Sequence, residues 1–256
     1  MNTPHGKQPL LHGKERSGFT LMELLIVLGV MLILAVFLGV AWNSASKNAL
    51  ALRNVNHHRQ IITGLLAYTS DHAGSFPYAF DDTATPKMSW PRLLVRSGYL
   101  SDPTVFFSPL ANHWYEREGR VALRNPDADS LVPWCYPNYA VNRHGAMPYG
   151  RYNGSYPDGS RKPARLSRVA KDGNLSKLMV LRDVYHPSYP DRGGGVESFT
   201  GSQFMPPPEK TYSGRVYASF ADGHVEAFRR DEFRTLLNNA PAASPPLFTN
   251  LYTYKP

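Results

Sequence analysis

Leu24 to Trp42 reads LLIVLGVMLILAVFLGVAW, an uninterrupted apolar run of 19 residues. At 1.5 Å per residue such a helix spans about 28 Å, close to the hydrocarbon thickness of a bilayer. Beyond Trp42 the pattern turns amphipathic: Ile61, Leu65 and Tyr68 recur on one face with Ile62 and Leu66 beside it. Lys47, Arg53, His57, His58 and Arg59 fill the other positions, which is the ordinary pattern of a solvated face. No proline lies between Pro9 and Pro77, a gap of 67 residues in a chain with 22 prolines. Asp71-His72-Ala73-Gly74 then supplies a stop. These positions predict one helix from about residue 20 to 72, about 80 Å long, with its first half in lipid and its second half under a globular head.

From Phe76 onward the chain reads as short strands and turns. The expected strands are Thr104–Phe107, Leu131–Tyr136, Tyr139–Val141, Leu178–Asp183, Val216–Phe220 and Val225–Phe228. Trp90–Val95 and Asp231–Asn238 are expected as short helices, and 145–160 and 191–214 as long Gly/Pro/Tyr-rich loops. The tail from Ala240 to Pro256 carries four prolines and is expected to be extended or loosely attached.

Composition narrows the chemistry. A single cysteine excludes an internal disulfide framework, CxxC redox chemistry and a zinc site built on several thiolates. Cys135 lies in the apolar Val132-Pro133-Trp134-Cys135-Tyr136, the setting of a buried inert thiol. The chain has no GxSxG elbow, HExxH helix or GxxxxGK[ST] phosphate loop, so neither catalysis nor a cofactor is expected. Adjacent helical residues point about 100° apart, so His57 and His58 cannot readily share one metal ion.

Lys and Arg total 28 against 20 Asp and Glu, a formal charge of +8. Arg117, Arg120, Arg124, Arg161, Lys162, Arg165, Arg168 and Lys171 could line a phosphate-binding face, with Tyr149, Tyr152 and Tyr156 stacking on bases. Such runs are ordinarily solvated faces, and nucleic acid is not the expected partner. The positive-inside count leaves orientation open: Lys7, Lys14 and Arg16 precede the apolar run, and Lys47, Arg53 and Arg59 follow it.

Two features beside the run go beyond anchoring. A carboxylate, Glu23, stands at the mouth of the apolar stretch, where an ionised group asks for a partner. Arg16-Ser17-Gly18-Phe19-Thr20, a basic, small-residue stretch ending in Gly and then an aromatic, comes immediately before it. Together these read GFTLMELLIV, which resembles the type IV prepilins and type II secretion pseudopilins. The resemblance implies a leader, residues 1–18, removed by a prepilin peptidase between Gly18 and Phe19. It also implies N-methylation of Phe19, and pairing of Glu23, the fifth mature residue, with the N-terminal amine of a neighbouring subunit. Removing Lys7, Lys14, Glu15 and Arg16 would take away a net +2 and leave about +6.

A second motif runs from Val216 to Phe228, VYASFADGHVEAF, with alternating apolar residues flanking Asp222-Gly223, a pairing suited to a tight hairpin turn. Asp222, His224 and Glu226 suggest a ligand set, but a turn between the first two breaks same-face alternation, and hairpin chemistry explains the motif without a metal. Phe220, Asp222, Gly223 and His224 also resemble the FxDGHV hairpin of a processing-associated C-terminal element in bacterial pseudopilin-like proteins. Residues 56–77, 105–109, 138–142 and 177–183 resemble the same group in kind and order. Two positions depart from it: Ser108 stands where a Cys is usual before Pro109, and Tyr212 where a His is usual, ten residues before the Asp of Asp-Gly.

The expected architecture is α+β. A cleaved leader (1–18) precedes a helix (19–72, membrane span about 24–42), an antiparallel-sheet head (73–239) and a Pro-rich tail (240–256). The resemblance implies a pilin-like subunit of the inner membrane with its head periplasmic or extracellular. Its expected partners are the prepilin peptidase, other pilin or pseudopilin subunits and the assembly platform of a type IV pilus or type II secretion system. The alternative is a membrane-anchored binding protein that never polymerises.

Overall fold

The computed structural model describes residues 18–85, 87–109, 134, 137–143, 145–150, 162–171, 175–185, 205, 208 and 211–238. The leader before Gly18, Cys135, His144, Arg117, Arg120, Arg124, Arg161, Tyr152, Tyr156 and the tail from Ala240 lie outside the described residues, as do most of the two predicted long loops.

Helix α1 (Leu21–Asp71) is one 51-residue element, within two residues of the predicted limits. The chain divides into two compact units inside it, between Ser46 and Lys47. In the first unit every large apolar side chain from Phe19 to Trp42 is exposed, and the helix is long and apolar enough to cross a membrane. An apolar surface of that extent on a helix is stable only against lipid or other apolar helices.

In the second unit α1 becomes a core element. Its buried residues are Asn54, His57, His58, Ile61, Ile62, Gly64, Leu65 and Thr69, a stripe of period 3.6. The helix ends where the Gly74 amide donates back to the Thr69 carbonyl at 2.7 Å. Ala73 (φ 53°) and Gly74 (φ 76°) both adopt the left-handed conformation that carries the chain away from the axis.

Strands β1 (Phe80–Asp81) and β2 (Met88–Ser89) form a short antiparallel pair. The chain then enters α2 (Trp90–Arg96), with a proline in its first turn. The predicted strand at Thr104–Phe107 is instead a 3-10 turn, Pro103–Phe106. Pro103 fixes φ and donates no amide, and the Asp102 carboxylate accepts from the Thr104 amide at 2.9 Å and hydroxyl at 2.7 Å, which favours the helical turn. Val105 and Phe106 are buried all the same. Of the predicted strand Leu131–Tyr136 only Trp134 is described, and it is buried.

The main sheet has the order β3-β4-β5-β6, antiparallel throughout: β3 (Tyr139–Val141), β4 (Met179–Asp183), β5 (Arg215–Phe220) and β6 (Val225–Arg229). A short helix α3 (Leu166–Lys171) precedes β4, and α4 (Arg230–Asn238) follows β6 without a break. One apolar cluster gathers Ile61, Ile62 and Leu65 of α1 with Trp90, Phe106, Tyr139, Val180 and Leu181. A second joins Val216, Ala218, Phe220 and Phe228 to Phe233 of α4. The sheet is thus covered on both faces, and every residue of β4 is buried. The fold is α+β: a long apolar N-terminal helix followed by an antiparallel-sheet head.

Candidate functional site

At the head of α1 the geometry is a reciprocal cap. Thr20 precedes the first helical turn, and its amide and hydroxyl each donate to Glu23 Oε2 at 2.9 Å. The Glu23 amide donates back to Thr20 Oγ1 at 3.3 Å. This T-x-x-E box satisfies helix-end amides that no backbone carbonyl can reach. Thr20 is a site residue that the apolar pattern did not single out, although the T-x-x-E spacing was readable. Gly18 and Phe19 stand just outside the helix, with Phe19 81% exposed and no neighbour within 4 Å of a Cβ built on Gly18. An exposed dipeptide outside a capped helix is accessible to another protein.

The hairpin motif folds as a 220–224 loop. The Gly223 amide donates to the Phe220 carbonyl at 2.9 Å, and the Phe220 amide to the His224 carbonyl at 3.0 Å. Of the predicted Asp222-Gly223 pair only Gly223 takes positive φ (91°), the pattern of a turn closed by a glycine bulge. Asp222 accepts from the His224 amide at 3.1 Å and also bonds its ring Nδ1. The imidazole stacks on Phe220, with centroids 4.3 Å apart and planes within 4°. A Cβ at Gly223 would lie 3.4 Å from Leu66 of α1, so the tip rests on the helix.

The turn was expected to break same-face alternation of Asp222, His224 and Glu226, and it nonetheless leaves His224 beside both acids. His224 faces Asp222 through Nδ1 and stands 3.9 Å from Glu226 through Nε2. The ring occupies the space between the carboxylates, and no group of three metal-binding side chains occurs among the described residues. Gly223→Ala is expected to destabilise the head by about 1–2 kcal/mol through left-handed strain. Gly223→Asn should cost less, because Asn tolerates that conformation. Melting temperatures in the order Gly, Asn, Ala check this, and equal values would refute it.

The reading of His57 and His58 as solvated positions is also corrected, for both are buried. His57 Nδ1–H donates to the Phe107 carbonyl at 3.1 Å. Burial, reinforced by Arg53, pushes its pKa below the ordinary value against the opposing pull of that carbonyl and Asp102, which favours the neutral ring. His58, at 0% exposure, takes different partners: Ser219 Oγ at 2.8 Å through Nδ1 and Asp183 Oδ1 at 3.0 Å through Nε2.

Asp183 also accepts from Asn54 Nδ2 at 3.0 Å and from the Tyr217 amide at 2.8 Å. Tyr139 donates to Asn54 Oδ1 at 2.8 Å, and burial above all drives its hydroxyl pKa well upward. Ser219, His58 and Asp183 are the residue types of a hydrolytic triad. Ser219 is wholly buried, however, and no substrate carbonyl can approach it. The node instead ties α1 to β4 and β5.

The two departures from the hairpin family's pattern meet in space, with Ser108 Oγ 2.6 Å from the Tyr212 hydroxyl. Tyr149, considered as a base-stacking residue, is buried against Phe80 with the Arg143 guanidinium 5.0 Å from its ring centre. Lys162, Arg165, Arg168 and Lys171 are exposed on and just before α3.

The model of the prokaryotic N-terminal methylation motif matches residues 13–39. This segment supports a type IV pilin-like protein. It contains Gly18, Phe19, the Thr20–Glu23 cap and most of the exposed apolar run, so the pilin-like likeness falls on the part of α1 that the head leaves bare. No curated protein and no solved structure matches the chain.

Proposed function

We propose that the chain is the precursor of a pilin-like subunit that is cut between Gly18 and Phe19, methylated on Phe19 and assembled through α1. The observation that carries this reading is the methylation motif at residues 13–39, placed on an open dipeptide that leads into a capped, exposed apolar helix. The precursor sits in the inner membrane as a single-pass protein, a substrate of the prepilin peptidase rather than an enzyme. In assembly, α1 helices bundle with those of other pilin or pseudopilin subunits on an assembly platform, in a type IV pilus or a type II secretion pseudopilus. Glu23 meets the new N-terminal amine of a neighbour, and the head stands periplasmic or extracellular. The Phe220–His224 hairpin, seated on α1, is the counterpart of the processing-associated element that its sequence resembles.

N-terminal sequencing and intact mass of the membrane-extracted protein test the reading. The expected result is a chain beginning at N-methylated Phe19. A chain beginning at Met1, or after Ala41 or Ala45 as a secretory signal would give, overturns it.

A further inference from the structure

A cleft at the end of the β5–β6 hairpin remote from Gly223 is used by neither the N-terminal motif nor the buried node. It has a volume of about 390 Å³, and Arg215, Arg229 and Arg230 line it together with Ser213, Gly214 and Asp231. Arg215 and Arg229 are direct register partners across the two strands, so their side chains leave the sheet on the same face. Like charges directly opposite in an antiparallel pair are destabilising, and Arg230 adds a third at the start of α4. Among the described residues the one carboxylate lining the cleft, Asp231, is 93% exposed and 4.0 Å from Arg230.

The backbone beneath is fixed. Ser213 (φ 55°) and Gly214 (φ 74°) form a two-residue left-handed turn closed by the Arg215 amide on the Tyr212 carbonyl at 3.1 Å. The Arg230 amide donates to the Gly214 carbonyl at 2.8 Å, which pins the start of α4 to that turn. Arg215 also hydrogen-bonds the Tyr217 side chain, which restrains it.

We propose that this cleft binds a tetrahedral oxyanion of the phosphate class, with Arg215, Arg229 and Arg230 as its ligands. A carboxylate has two oxygens and is met by a single guanidinium fork, whereas three forks around one space match a group with three or four anionic oxygens. Binding such an anion also removes the repulsion that the strand register builds in. The proposal stands independently of whether the chain assembles.

The test is calorimetric titration of the full chain, in an uncharged detergent at constant ionic strength, with inorganic phosphate. Saturable binding is expected, with a melting temperature that rises with phosphate concentration. Arg229→Gln should weaken binding about tenfold. The same variant should melt no lower than wild type without phosphate, since it removes one member of a like-charged pair, so weaker binding would not reflect lost fold. Arg215→Gln provides the second variant. Glycerol phosphate in solution and phosphatidic acid, a lipid phosphate monoester, doped into the micelle separate a soluble phosphate ester from a lipid headgroup, and the proposal holds if either depends on Arg229. Acetate or chloride binding as tightly as phosphate overturns it, as does affinity unchanged in Arg229→Gln.

Discussion

Asp183→Ala is expected to destabilise the head by about 3–5 kcal/mol, the range for removing one member of a buried polar or charged pair. Asp183 accepts from Asn54 and His58 of α1 and from the Tyr217 amide of β5. All three donors are shut off from water, and each left without an acceptor costs about 1–3 kcal/mol before relaxation or entering water recovers some of it. Against a typical total of about 5–15 kcal/mol, that loss brings the head close to unfolding at growth temperature. Asp183→Asn keeps one carbonyl acceptor but sets an amide against its neighbours, and should fall between. Trp90 and Trp134, both buried, report the transition by fluorescence in a urea titration of the full chain in detergent. A loss below about 1 kcal/mol would mean that the node does not hold α1 to the sheet.

The features legible in the sequence were those set by neighbours in sequence. The extent of α1 followed from the missing prolines, the period-3.6 stripe and a stop that uses Ala73 as well as Gly74. The β5–β6 hairpin followed from alternation around Asp222-Gly223, and β3 and β4 from short apolar runs. The polar half of the helix's buried stripe was misread. Asn54, His57 and His58 continue the spacing of Ile61, Ile62 and Leu65, yet the polarity of the two histidines placed those on a solvated face. What makes them core residues lies far along the chain: Asp183 is 129 residues from Asn54, and Ser219 is 161 from His58. A local pattern shows that a face repeats, not which distant group will satisfy it.

The 3-10 turn at Pro103–Phe106 was misread for the opposite reason. Val105, Phe106 and Phe107 suggested a strand, while the deciding residues were the adjacent Asp102 and Pro103. The Asp222–His224–Glu226 set shows a further limit. Strict alternation would set the three on one face and the turn was expected to break that, yet His224 lies beside both acids, which only the geometry of the turn could reveal. At the N-terminus the balance reverses: GFTLMELL marked Gly18, Phe19 and Glu23 before any fold was considered, and the structure added the Thr20 partner.

Glu23→Ala is expected to leave membrane insertion and cleavage after Gly18 intact while reducing filament incorporation on the order of tenfold or more. Insertion should survive because the substitution removes a charge from the mouth of the apolar run, and removing charge favours lipid. Cleavage should survive because Gly18 and Phe19 lie outside the helix, and loss of one cap frays the first turn of a 51-residue helix without unfolding it. What the variant lacks is a counter-charge for the amine that cleavage creates, and among apolar helices an uncompensated cation is strongly disfavoured. Glu23→Gln separates the two roles of the carboxylate, because the amide can still accept from Thr20 as Glu23 does but offers no charge to a neighbour. If pairing drives assembly, both variants accumulate as processed, membrane-retained chains, seen by immunoblot as protein absent from the sheared-filament fraction. If Glu23→Gln assembles like wild type, the contribution of Glu23 is the helix cap alone, and the charge-pairing part of the proposed function fails.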